Sequence, residues 1–274
     1  MTSSFFNRFR HRLARAITGL GLFVRPTVTP KCAIDPNVVF PGCRCYKTSL
    51  GRFLVPDEPK EDVIAQHIRN DELFDEPIIT YSLGILSEGD CVIDVGANFG
   101  QFTIAMARHV GPKGHVYAIE ADPFICSILR KNIELNALKN VTIIEAAAHE
   151  TSGMELPYPK PDFREFNTYG SYGLDPSSTS LRRVKTIRID DLPMGPLISL
   201  IKIDVQGCDL FAMRGAWEVI SQSKPTLIFE YEEQFQGRFK TCFQDYVDFI
   251  REVGYQFDST IMSINFVARA KRTK

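Results

Sequence analysis

The chain has 274 residues, 44% of them hydrophobic and 11% aromatic, with 32 basic and 33 acidic side chains and a net charge of -1. That apolar content excludes a disordered chain, and the lack of an unbroken apolar stretch of about 18 residues excludes an ordinary membrane span. The charge is unevenly placed: residues 1–34 carry six cations and no acid, residues 268–274 carry four cations and no acid, and removing those ten leaves -11 on residues 35–267.

In chain order, Phe5, Phe9, Leu13, Ala16, Ile17 and Leu20 recur at helical spacing, with Arg8, Arg12 and Arg15 beside or opposite that face. This is the pattern of a basic amphipathic helix of the kind that lies on anionic lipid; a helix docked on its own domain, or a frayed terminus, is the alternative. A signal peptide fits poorly, because the apolar run Ala16–Val24 is broken by Gly19 and Gly21 and lacks a clear cleavage site. Residues 26–51 are rich in Pro, Cys and Gly and read as a cap, with short strands at Asn37–Phe40 and Arg52–Pro56. Helices are predicted at Glu61–Leu73 and Pro77–Leu86.

A regular alternation follows: strand Cys91–Val95, helix Phe99–Val110 ended by Gly111-Pro112, strand His115–Glu120, helix Pro123–Asn136 and strand Val141–Ala147. Residues 158–180 read as a loop or insertion. Then come strand Lys185–Ile189, strand Leu200–Asp204, helix Asp209–Gln222, strand Thr226–Tyr231 and helix Phe243–Val253 capped by Gly254. A closing pair of strands is predicted at Tyr255–Asp258 and Ser263–Ala268. The expected fold class is α/β: a mostly parallel sheet with a closing antiparallel strand, helices on both faces, and an N-terminal extension. Residues 1–60 are assigned to that extension and residues 61–274 to the α/β domain. Seven cysteines with no Cys-x-x-Cys pair read as reduced thiols of a cytosolic protein. A local site built from Cys32, Cys43 and Cys45 is the alternative, although Cys43 and Cys45 are too close for the usual zinc knuckle.

The strongest local signal is Val92-Ile93-Asp94-Val95-Gly96-Ala97-Asn98-Phe99-Gly100, a buried strand entering a glycine-containing turn and then a helix. A dinucleotide fingerprint needs Gly-x-Gly-x-x-Gly; here the two glycines are four apart. Asp94 at the strand end would repel a pyrophosphate and suit a cationic or hydrogen-bond-donating ligand. The ammonium and sulfonium of S-adenosyl-L-methionine (S-adenosylmethionine) meet that description. Glu120, about 20 residues past the turn at the end of the next strand, is placed to accept hydrogen bonds from ribose hydroxyls.

These segments, with Val116-Tyr117-Ala118-Ile119-Glu120 and Asn132-Ile133-Glu134-Leu135-Asn136, resemble class I S-adenosylmethionine-dependent methyltransferases with a Rossmann-like sheet, and more narrowly the FkbM family. Phe74-Asp75-Glu76, Ile201-Lys202-Ile203-Asp204-Val205-Gln206-Gly207, Gly215-Ala216 and Pro225–Glu230 extend the resemblance over roughly residues 70–270. Gln206 stands where many members have Glu. The resemblance implies a donor site using Glu76, Asp94, Gly96, Asn98, Gly100, Glu120, Ala148 and Asp204. Asp204 and Glu230, at the ends of two strands, are the candidate catalytic pair. His149 is a weaker candidate base, and Tyr169, Ser171 and Tyr172 could line an acceptor pocket. No metal is expected, since Asp204, Gln206 and Asp209 make a poor oxygen ligand set.

The implied activity is O-methylation of a hydroxyl on a small molecule, sugar or glycolipid. N-methylation and a non-catalytic scaffold role are the alternatives, and nicotinamide chemistry is disfavoured by the glycine spacing. The expected partner is a small-molecule, sugar or lipid acceptor. No nucleic acid is expected, and peripheral membrane contact would run through the N-terminal helix. The expected location is cytoplasmic, with membrane association through that helix.

Overall fold

The predicted core strands form in the computed structural model, the one over Val141–Ala147 split at Ala146 into two strands of different sheets; the structure describes residues 32–160, 168–179, 182–195 and 197–271. The basic amphipathic helix predicted within residues 1–25 lies outside the described residues. Cys32–Lys274 form one compact unit, so residues 32–60 belong to the same unit as the α/β sheet. The elements run β1 (Ala33–Ile34), β2 (Cys43–Lys47), β3 (Arg52–Pro56), α1 (Val63–Arg69), α2 (Glu76–Ile85), β4 (Cys91–Val95), α3 (Gln101–Val110), β5 (His115–Glu120) and α4 (Pro123–Leu135). They continue with β6 (Val141–Glu145), β7 (Ala147–Ala148), β8 (Glu155–Pro157), β9 (Arg183–Ile187), β10 (Ile198–Ile203), α5 (Asp209–Arg214) and α6 (Trp217–Ser223). The last are β11 (Thr226–Glu230), α7 (Glu233–Phe239), α8 (Phe243–Glu252), β12 (Tyr255–Ile261) and β13 (Asn265–Ala270).

Seven strands make the main sheet in the order β12-β13-β11-β10-β4-β5-β6. β11, β10, β4, β5 and β6 are mutually parallel, and β13 runs antiparallel to both of its neighbours. From β4 the chain builds outward through β5 and β6, then returns to β10 on the other side. That reversal opens a crevice at the carboxyl ends of β4 and β10, the usual ligand position in such sheets. Strand alternation sorts the core: Ile93, Val95, Ile201, Ile203, Leu227 and Phe229 pack with α5, α6 and α8. Val92, Leu200 and Ile228 pack with α2 and α3 on the opposite face. Asp94 and Lys202 have the parity of Val92 and Leu200, which directs both toward α3.

The small sheet β1-β2-β3 is tied to α4 by one buried amide. Asn132 accepts from Leu54 N at 2.6 Å and donates to Leu54 O at 3.0 Å and Phe99 O at 2.9 Å. The first Asn of the Asn-Ile-Glu-Leu-Asn segment therefore joins the extension to the glycine turn. α4 itself starts where its sequence directs: Asp122 accepts from Phe124 N and Ile125 N, and Pro123 occupies the first turn.

Three other expectations change. The helix predicted over Asp209–Gln222 is two helices broken at Gly215-Ala216. A Cβ at Gly215 would meet His149 O at 2.1 Å, and Asp190 accepts from Glu218 N and Val219 N, capping a new helix start. The strand predicted at Asn37–Phe40 reduces to one bridge between Phe40 and Cys43. Helix α7 and strand β8 were not predicted, because each is too short to show a period. The seven cysteines are free thiols, all but Cys242 buried. Among the described residues no helix is long and apolar enough to cross a membrane.

Candidate active site

The turn between β4 and α3 has no backbone N–H left for an anion. Gly96 N and Ala97 N donate to Ile119 O, and Gly100 N donates to Ala97 O. Asn98 N donates to a Glu120 carboxylate oxygen at 2.9 Å, and Phe99 N to Asn98 Oδ1. These five N–H groups therefore form no phosphate cradle, in keeping with the glycine spacing and Asp94. Gly96 has φ +83°, and a Cβ there would lie 2.0 Å from Asp204 O. Glycine is what lets the carboxyl ends of β4 and β10 close together. Gly100 has φ +89° and abuts Leu129, and Asn98 also adopts a left-handed φ of 49°.

Asp94 is fully buried. Its Oδ2 accepts from the Thr103 hydroxyl at 2.5 Å, and its Oδ1, with no hydrogen-bond partner among the described residues, lies 3.7 Å from Lys202 Nζ. Burial pushes the carboxyl upward, while the Lys202 ammonium and the Thr103 hydroxyl oppose that shift. Glu120 closes the other side. Its two oxygens accept from Asn98 N and Asp122 N, and burial raises it to about 7 despite those bonds. Each oxygen keeps a lone pair for a further donor.

Across the crevice, Lys202 lies in a set of carboxylates. Its Nζ is 3.4 Å from Asp204 and 3.7 Å from Asp94. Burial disfavours the charged amine, but Asp204, Asp94 and Asp75 outweigh it and hold Lys202 above the ordinary lysine range. Asp204 begins the turn after β10, and Glu230 ends β11. Gln206 Nε2 lies 3.2 Å from an oxygen of each. Burial and then the facing Asp204 carboxyl push Glu230 strongly upward. Asp209 accepts from Val205 N and Gly207 N, fixing the turn that carries Gln206, and its own burial raises it to about 8.

The remaining sequence candidates are placed as follows. Glu76 is exposed in the first turn of α2. Its neighbour Asp75 is the acid near Asp204 and Lys202, raised to about 6 by burial and by Asp204. Asp75 has φ 57° and makes no capping hydrogen bond; its position before Glu-Pro suggests a helix cap, which hides it from sequence reasoning. Ala148 is buried in β7, paired with Ile187, and its carbonyl meets the Cys208 thiol. His149 is buried and stacked on Phe211 at 5.0 Å, and burial lowers its pKa. Tyr169 packs on Phe99 and Phe124, and Gly173 lies against Gln206, so this loop crosses the crevice mouth. Two residues went unpredicted: Arg182 binds Asp122 at 2.7 Å and sits 5.0 Å over the Tyr158 ring, beside Glu120. Their loop shows no period to find them by.

A family described as the methyltransferase FkbM domain matches residues 94–257, more than half of the chain. A "probable cobalt-precorrin-6B C(15)-methyltransferase (decarboxylating)" of Sulfolobus acidocaldarius is 35% identical over 99 residues, 35% of this chain and 50% of that protein. A protein-L-isoaspartate O-methyltransferase of Methanothrix thermoacetophila is 41% identical over 75 residues, 27% of this chain and 36% of that one. The chain thus spans half or less of these relatives. Among solved structures, the methyltransferase FkbM of Methylobacillus flagellatus superposes with a TM-score of 0.48 at 20% identity, covering 68% of this chain and 45% of that one.

Proposed function

The chain belongs to the FkbM methyltransferase family, and from that membership we propose that it transfers a methyl group from S-adenosylmethionine to a hydroxyl of a small molecule, sugar or glycolipid. The observation that carries the reading is the Asp204–Glu230 pair at the carboxyl ends of β10 and β11, against the Gly96 turn. The residues fit this donor. The N–H groups of residues 96 to 100 are used within the turn, and the buried Asp94 carboxyl stands beside it, which favours a cation over a phosphate. Bound S-adenosylmethionine supplies an already activated methyl group.

The chain's own part is binding, alignment and proton removal. Glu120 takes the ribose hydroxyls on its remaining lone pairs, and the small side chains of Ala147 and Ala148 leave space beside it. Asp94 and Asp204 present negative charge to the cationic end, with Lys202 holding both carboxylates in place. Gly96 sets the distance between the two strand ends. Holding the acceptor oxygen in line supplies on the order of 7–11 kcal/mol. As that oxygen gains the methyl group, its proton passes to the Asp204–Glu230 pair. Net negative charge around the crevice (Asp75, Asp94, Asp204 and Glu232 against Lys202) favours neutral over anionic acceptors.

The test is incubation with methyl-labelled donor and cell extract, followed by fractionation. Label entering lipid, sugar or small-molecule hydroxyls supports the reading. Label entering only protein or nucleic acid contradicts it.

A further inference from the structure

Among the described residues, Gln206 is the uncharged polar side chain that bonds both acids at the strand ends. Its backbone is set to aim it there: φ is 55° at Gln206 and 94° at Gly207, the Asp209 carboxylate ties Val205 N and Gly207 N, and Gly173 backs its Cβ. One amide nitrogen carries two hydrogens. Here both point at carboxyl oxygens, Asp204 Oδ1 and Glu230 Oε2, each at 3.2 Å. The ionised Asp204 carboxylate is an acceptor, so the amide is assigned with its nitrogen at this position. The amide oxygen has no hydrogen-bond partner among the described residues.

We propose that Gln206 is a positioning residue that bridges Asp204 and Glu230 into a single base and lowers the energy of its ionised form. A glutamate here would add a third acid to the pair. The charged groups facing the pair are Lys202 from β10, Asp94 from β4, Asp75 ahead of α2, Asp209 from α5 and Glu232 after β11. Lys202 is the single cation among them in the described residues, and neutral donors add to the stabilisation it gives the pair. Gln206 supplies two of these. The inference rests on the methyl-transfer reading for its purpose but not for its test.

The test titrates side-chain carboxyls by carbon-13 NMR in the full chain, with the pair's signals assigned through Glu230→Gln. Two variants are compared with the parent: Gln206→Met, which keeps the shape without the donors, and Gln206→Glu. Calorimetry with S-adenosylmethionine checks in parallel that each variant keeps a folded donor site. Losing two hydrogen bonds to charged groups should raise the upper pKa of the pair by about 1–2 units in Gln206→Met, and Gln206→Glu should raise it further. An upper pKa that stays within about 0.3 units of the parent in both variants overturns the proposal. Donor heat that is absent even in the parent sinks the methyl-transfer reading and leaves the titration result standing.

Discussion

Replacing Asp94 by Asn separates the two demands placed on the first strand end. Asn keeps the shape and can still accept from Thr103, now 2.5 Å away. It loses the charge facing Lys202 Nζ at 3.7 Å, an attraction of about 4.5 kcal/mol at an effective dielectric of about 20. Lys202 keeps Asp204 at 3.4 Å, so the buried ammonium is not stranded. The expected loss is therefore about 3 kcal/mol, the low end for breaking a buried pair. Equilibrium urea denaturation reads that loss, and calorimetry with S-adenosylmethionine reads donor affinity on the same sample under native conditions. Adding Lys202→Met to Asp94→Asn should recover part of the stability, with a coupling of about 1.5 kcal/mol or more. Donor affinity should not recover, because the cation still lacks its carboxylate. A single variant within about 0.5 kcal/mol of the parent, or strict additivity in the double variant, would refute the electrostatic account.

Other outcomes follow from the same geometry. Gly96→Ala forces a left-handed residue into the Asp204 carbonyl, costing about 2–5 kcal/mol in urea denaturation; a folded variant of parental stability contradicts the close approach of β4 and β10. Glu120, raised to about 7, is protonated in the folded chain at pH values where the unfolded chain is ionised, so it withdraws stability as pH rises from about 4.5 toward 7. Ribose hydroxyls bind the ionised form, so donor affinity should fall about tenfold per pH unit below 7, and Glu120→Gln should flatten that dependence; an unchanged slope refutes the ribose role. His149→Gln should cost about 1 kcal/mol through the lost Phe211 stack and leave the pH dependence of donor binding intact, as calorimetry across pH would show. The basic amphipathic pattern of residues 1–25 predicts that their deletion weakens retention on anionic liposomes; equal retention in a flotation assay contradicts it.

Much of this site is legible because its residues stand at strand ends. Asp94, Glu120, Asp204 and Glu230 each follow a run of apolar residues with strand character, and the order of those runs fixes which ends meet. The glycine spacing also carries physical information: it told against phosphate, and the turn's N–H groups are all internally used. What sequence reasoning missed depends on tertiary contacts without a period. Asp75 reads as a helix cap but approaches Lys202 and Asp204. Arg182 and Tyr158 come from a loop, and only folding brings them beside Asp122 and Glu120. The break in the Asp209–Gln222 helix likewise needs His149 and Asp190, residues from other elements, to show itself.

The most direct test of the central claim is calorimetric titration of the full chain with S-adenosylmethionine and, separately, with NAD. The account predicts saturable heat with S-adenosylmethionine, its loss in Asp94→Ala, and no heat with NAD. Heat with NAD alone, or full donor affinity retained in Asp94→Ala, would contradict it.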